Sequence, residues 1–171
     1  MELEQLAERV KETAYLEGDF VLRSGKRSKY YLDKYLFETQ PDILEEFGRR
    51  FAEHVSDADV IAGPELGAVS LAAATSLATG KPFTIVRKAG KGYGTDKLIE
   101  GTAVAGKKVV LVEDIGTTAG AALAAAETLK ANGAEILRLV FAIDRMQGAK
   151  ENVEAAGFEF HAILNKQDLG I

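Results

Sequence analysis

Val109–Ala122 reads VVLVEDIGTTAGAA, and the reading of this stretch decides the fold. Four apolar residues run straight into two acids, Glu113 and Asp114, and then into a turn of Gly, Thr, Thr, Ala and Gly. A short continuous apolar run fits a strand buried on both faces, as in parallel sheets covered by helices. Ligands of such sheets bind beyond the carboxyl ends of the strands. Adjacent carboxylates there call for a partner, because burying two of them without one is costly. The loop Gly116 to Ala121 opens a helix. Its backbone N–H groups, two threonine hydroxyls and the positive helix end converge on one point, which suits a phosphate. The acids cannot serve that phosphate, since like charges repel. They need a target one loop-width away, sugar hydroxyls or a hydrated Mg²⁺. The residues alone also allow a solvated strand end followed by an ordinary βα turn.

Outward from this stretch the same pattern repeats. ADVIAG, PFTIVRK, EILRLVFAID and FEFHAIL read as strands. Ala-rich helices lie between them, one ending at Gly80 and another, over about 119–132, ending at Gly133. A short helical piece closes at Gly157, and 88–101 is irregular, Gly- and Lys-rich. Towards the N-terminus, Leu3, Leu6, Ala7, Val10 and Ala14 space as an amphipathic helix closed by Gly18. Asp19 to Asp33 reads as two short strands around Ser24-Gly25, and Pro41 suits the first turn of a helix reaching about Val55. The expected fold is a doubly wound α/β domain, its mainly parallel sheet flanked by helices. It spans 1–171, with a small N-terminal subdomain (about 1–40) packed over one end of a core (about 41–171).

Composition narrows the function. The 171 residues suffice for one domain with a real core, and 47% hydrophobic content with three prolines excludes a disordered or fibrous chain. The absence of cysteine excludes a disulfide framework and a thiolate metal site, and it fits a cytoplasmic location. The acidic, amphipathic start does not read as a signal peptide, and the apolar stretch near Ala68 to Ala78 is too short and polar-broken to span a membrane. A net charge of −5 argues against a nucleic-acid partner. The basic residues are nonetheless clustered, in RSGKRSK (23–29) and RKAGKGYGTDK (87–97), where a local anion could bind. GTAVAGKK (Gly101 to Lys108) imitates a P-loop but lacks the final Ser/Thr and precedes a strand instead of following one.

The motif VVLVEDIGTTAG resembles the PRPP-binding signature of type I phosphoribosyltransferases. Four further segments, DFVLRSGKRSKYYLD, GPELGAVSLA, PFTIVRKAGKGYGT and AIDRMQGAKENVEAAG, are similar to stretches of orotate phosphoribosyltransferases and stand in the same order. The resemblance runs from Gly18 to Leu169.

It implies transfer of phosphoribose from PRPP to orotate through an oxocarbenium-like state, by a homodimer with shared active sites and with Mg²⁺ carried by PRPP. Ile115, Gly116, Thr117, Thr118, Ala119, Gly120 and Ala121 would hold the 5′-phosphate, while Glu113 and Asp114 face the ribose. Asp114 is the candidate catalytic carboxylate. Arg23, Arg87, Lys88, Lys91 and Tyr93 would meet the diphosphate side, with Lys91 on a mobile lid as the second catalytic candidate. Tyr31, Leu32, Thr117 and Arg145 would form the orotate site, Arg145 pairing with the carboxylate. The subdomain of about residues 1–40 would carry the base site.

Two departures from the family stand out. Ala121 replaces a common hydroxyl, and Tyr93 replaces a common histidine, which removes a group able to titrate near neutral pH. Glu65 in the GPELG turn is unexpected beside an anion unless it faces away or meets Mg²⁺. His54 and His161 have no ligand-spaced neighbours and no expected role. The basic segment can also be read as a solvated loop and the tyrosines as strand packing. Two alternative functions stay open, transfer to another base such as a purine, and a PRPP- or nucleotide-sensing regulator.

Overall fold

The computed structural model describes residues 1–22, 25, 27–90, 92 and 97–171. Helix α1 (Leu3–Ala14) runs directly into β1 (Tyr15–Val21), which pairs antiparallel with β2 (Arg27–Leu32). Two helices follow, α2 (Lys34–Glu38) and α3 (Pro41–Ala52). The alternating part is β3 (Val60–Pro64), α4 (Ala68–Thr79), β4 (Phe83–Val86), β5 (Ile99–Gly101), β6 (Lys108–Gly116), α5 (Gly120–Ala131), β7 (Glu135–Asp144), α6 (Ala149–Ala155) and β8 (Glu159–Asn165). Its sheet has the order β5-β4-β3-β6-β7-β8, with β5 antiparallel and the other strands parallel.

The sheet is buried on both faces because its strands carry apolar residues at successive positions. Val110 and Val112 of β6 point into a core shared with α1, α3 and α4, while Val109 and Leu111 point into a second core under α5 and α6. On the first face Phe37, Phe47 and Phe51 are fully buried and pack in series, with centroids 5.7 and 6.1 Å apart. Each such ring contributes about 1.5–3 kcal/mol of burial. The alanines of α4 permit close helix packing. A Cβ at Gly48 of α3 would stand 2.8 Å from the Ala74 carbonyl oxygen.

Three details differ from the sequence expectation. Gly18 is no helix cap: it lies within β1, at a register irregularity between Glu17 and Phe20. The helix ends four residues earlier because Tyr15 pairs with Leu32, while the Ala14 carbonyl accepts from Asp33 N–H at 2.9 Å. Helix α2 was not expected. It is a five-residue piece capped by Asp33, whose side chain accepts from Tyr35 N–H, and is too short to show a helical period. The irregular segment 88–101 ends in β5, a three-residue edge strand.

β3 has β4 on one side and β6 on the other, so the chain's winding reverses between β3 and β6. A crevice opens at such a reversal, beyond the carboxyl ends of the strands. Among the described residues, no helix is long and apolar enough to cross a membrane.

Candidate active site

Glu113 and Asp114 end β6 at this crevice and are 8% and 5% exposed. Each is held by local backbone. Glu113 Oε1 accepts from Asp114 N–H at 3.0 Å, and Asp114 Oδ1 accepts from Ile115 N–H. Burial, reinforced by Asp114 alongside, pushes the Glu113 carboxyl well above the ordinary carboxylate range. Asp114 Oδ2 is taken by Lys34 Nζ at 2.5 Å. Burial pulls the Lys34 ammonium down, but the bond and charge of Asp114 outweigh it and leave its pKa raised. One turn further along α2, Glu38 is 4% exposed and its Oε1 has no hydrogen-bond partner among the described residues. Burial first, then the charge of Asp114, pushes Glu38 up to about 8, so it stays protonated at neutral pH. Three carboxyls therefore share one lysine.

The turn after β3 closes over this group. Gly67 precedes α4, and a Cβ there would overlap Asp114 Oδ2 and stand 3.1 Å from Lys34 Nζ. Only a residue without a side chain lets the turn approach the ion pair. Glu65 in the same turn borders the crevice, and its carboxylate accepts from Lys88 N–H at 2.5 Å.

The loop after β6 behaves as a helix entry. Thr117, Thr118, Gly120 and Ala121 are exposed, and Ala119 takes a left-handed φ of 62° immediately before α5. A non-glycine residue in that conformation costs about 1–2 kcal/mol, and such strain concentrates at functional loops. Asn152 of α6 anchors the loop by donating to the Thr118 carbonyl at 2.9 Å. Gly116 does not line the crevice. It is packed inward, its Cβ position 3.1 Å from Phe141 and Ala149, and its carbonyl accepts from Arg145 N–H at 2.8 Å.

Arg145 follows β7 on the far side of that loop. Its Nη2 donates to the Tyr30 hydroxyl at 2.9 Å, and its guanidinium lies 5.3 Å from the Tyr30 ring centroid. Its buried Nε has no hydrogen-bond partner among the described residues. Tyr31 points to the other face of β2, against Phe20 at 5.6 Å, yet still lines the crevice.

One cavity of about 1040 Å³ gathers most of the residues expected from sequence: Tyr31, Leu32, Arg87, Lys88, Glu113, Asp114, Ile115, Thr117, Thr118, Ala119, Gly120, Ala121 and Arg145. Arg23, Lys91 and Tyr93 lie outside the described residues. The sequence reading missed Lys34, Glu38, Tyr30 and Asn152. Strand alternation could have found Tyr30, which shares a face with Leu32. Nothing in the local sequence marks Lys34 or Glu38, because the helix that carries them is so short.

The fold and the sequence are shared with known proteins. Residues 37–163 match the family model described as phosphoribosyl transferase domain. The orotate phosphoribosyltransferase of Methanocella arvoryzae is 43% identical over 167 residues, covering 96% of this chain and 95% of its own. That of Methanopyrus kandleri is 44% identical over 170 residues, covering 99% and 92%. Among solved structures, the Mycobacterium tuberculosis orotate phosphoribosyltransferase with Fe(III) dicitrate superposes with a TM-score of 0.89 at 34% identity, over 99% of each chain. The same enzyme in complex with PRPP gives 0.85 at 32%, again over 99% of each. By sequence and by architecture, this chain belongs to the phosphoribosyltransferase family and, within it, to the orotate phosphoribosyltransferases.

Proposed function

We propose that this chain transfers phosphoribose from PRPP to orotate, giving orotidine 5′-monophosphate and diphosphate, as a step of pyrimidine biosynthesis. The observation that carries this reading is the order of groups along the sheet's carboxyl edge. Arg87 and Lys88 follow β4, the acids and helix-entry loop follow β6, and Arg145 follows β7, with β3 and its turn between the first two. Diphosphate, phosphoribose and a carboxylated base would occupy those three places in sequence.

In the reaction the C1–O bond of PRPP breaks and its electron pair leaves with diphosphate. A ring nitrogen of orotate forms the new bond to C1 and gives up its proton. Cationic charge develops on the sugar between these events, and a fixed carboxylate such as Asp114 stabilises it without reorganising. Ile115 and Thr117 to Ala121 take the 5′-phosphate at the positive end of α5. Arg145 pairs with the orotate carboxylate, and Tyr31 and Leu32 border the ring. Arg87 and Lys88 draw off the leaving group, joined in the sequence reading by Arg23, Lys91 and Tyr93. Mg²⁺ enters as part of the substrate. Two adjacent carboxylates fit a hydrated ion held chiefly by phosphate oxygens. The working unit is read as a homodimer of single-domain chains in the cytoplasm, the first forty residues or so bordering the base.

The test is loss of orotate absorbance with PRPP and Mg²⁺, run in parallel with adenine, guanine, hypoxanthine and uracil. Turnover of orotate alone supports the proposal. Turnover of a purine, or tight PRPP binding without turnover of any base, overturns it.

A further inference from the structure

Among the described residues that line the cavity, Lys34 is the one cation whose charge the proposed reaction has not used, and its surroundings are specific. Its ammonium sits where α2, the turn after β3 and the end of β6 meet, bound to Asp114 and 3.1 Å from the Cβ position of Gly67. It is 5.3 Å from the Tyr35 ring centroid, and its side chain is about one-third exposed, 32%, into the cavity. Both Asp114 oxygens are engaged by the protein itself, Oδ1 by Ile115 N–H and Oδ2 by Lys34. A sugar hydroxyl that donates to Asp114 competes directly with Lys34.

Resting on the phosphoribosyl-transfer reading, we propose that Lys34 is a diphosphate-binding residue that exchanges partners, leaving Asp114 as the sugar hydroxyls take that carboxylate and turning to the diphosphate beside the Gly67 turn. Position supports the direction of the exchange. With the 5′-phosphate over the loop after β6 and the base towards β7, the diphosphate leaves the sugar towards β3 and β4. Lys34 stands on that side, against the turn that follows β3. An ammonium has three donors and a flexible stem, so it can hold a new oxygen with little rearrangement. Lys34 keeps its ammonium form in this corner, since its pKa is raised in spite of burial.

Isothermal titration of the full chain with Mg-diphosphate, and separately with ribose 5-phosphate, tests this. Lys34→Met is expected to weaken Mg-diphosphate binding by roughly 10- to 100-fold, the range for losing a hydrogen bond to a charged group. Ribose 5-phosphate is expected to bind the variant as well as, or better than, the unmodified protein, since Asp114 is released. Lys34→Arg should restore most of the diphosphate affinity. Equal weakening for both ligands, or no weakening for diphosphate, overturns the inference and leaves Lys34 a structural group. Should Lys34→Met fail to fold, the ¹⁵Nζ resonance of Lys34 in the unmodified protein decides. It must move with Mg-diphosphate, and a signal indifferent to that ligand overturns the proposal. If the unmodified chain ignores Mg-diphosphate, both this inference and the PRPP reading fall. Lys34-dependent diphosphate binding without orotate turnover upholds the inference and removes only the choice of base.

Discussion

The two ends of the sheet carry charged clusters built on opposite principles. At the amino end, Arg138 of β7 donates to both oxygens of Asp57 at 2.7 and 2.8 Å and to the His54 carbonyl at 2.8 Å, and it lies 3.5 Å from Glu159. Its two carboxylate partners are 51% and 54% exposed, and His161 closes the group against Glu159 and the His54 ring. At the carboxyl end, Lys34 faces three carboxyls that are 4%, 8% and 5% exposed, and one oxygen of Glu38 has no partner among the described residues. The same group, a carboxyl, is driven in opposite directions. The hydrogen bond from Arg138 lowers Asp57 to about 2, whereas burial raises Glu38 to about 8. The amino-end cluster satisfies itself and faces water, so it is a clamp. Among the described residues the carboxyl-end cluster is buried and short of positive charge and donors, which is the condition in which a polyol carrying cations gains most by binding.

The contrast breaks most sharply at Asp114. Asp114→Asn removes the carboxylate beside the reacting sugar and should lower kcat by roughly 10²- to 10⁴-fold while the fold stays intact, as judged by circular dichroism and melting temperature. Equal loss of stability with normal activity per folded molecule would leave the acid without a chemical role. Gly67→Ala should come next. Its methyl overlaps Asp114 Oδ2, so the ion pair or the turn must shift, with overpacking of about 1–3 kcal/mol. Displacement of the site by about 1 Å can lower turnover by ~10²-fold. Unchanged kinetic constants in Gly67→Ala would show that the turn gives way without cost.

These two residues differ in how far the sequence exposes them. Asp114 is legible because strand, acid pair and helix-entry loop are contiguous, and contiguous patterns fix both the fold and half the site. The alternation of apolar strands with Ala-rich helices is equally local, and the parallel sheet follows from it. Gly67 was legible only as part of a turn, since its crowding depends on a side chain 47 positions away and on a lysine 33 positions before it. Lys34 and Glu38 belong to a helix of five residues, below the length at which periodicity speaks. The Tyr30–Arg145 bond joins residues 115 apart, and only tertiary packing brings them together.

Glu38 sharpens the comparison through pH. Its folded pKa of about 8 stands above the ordinary 4.5, so between those values the folded state keeps a proton that the unfolded chain releases. Stability from this group is fully present below pH 4.5 and is lost as pH rises towards 8. Glu38→Gln stays neutral throughout and should flatten the fall in denaturation free energy between pH 5 and pH 8, measured by urea titration. Glu113, also raised, leaves a residual slope. Parallel pH curves for the two proteins would mean that Glu38 finds a counter-charge.

The smallest effect belongs to the amino-end clamp, and its sign is opposite. Asp57 is lowered to about 2, so its stabilisation is present above its ordinary 3.8 and is lost as pH falls through 2. The depressed His54, held down by burial and by His161, adds a loss that begins as pH falls below 6.5. Because Asp57 is half exposed, water screens the pair and its loss should amount to less than about 1 kcal/mol. Asp57→Asn is therefore expected to leave kcat and both KM values unchanged and to lower the melting temperature slightly at pH 7, a difference that vanishes near pH 2. A kinetic effect of Asp57→Asn would mean that the clamp reaches across the sheet to Asp114, and the division between a self-satisfied end and a ligand-seeking end would no longer hold.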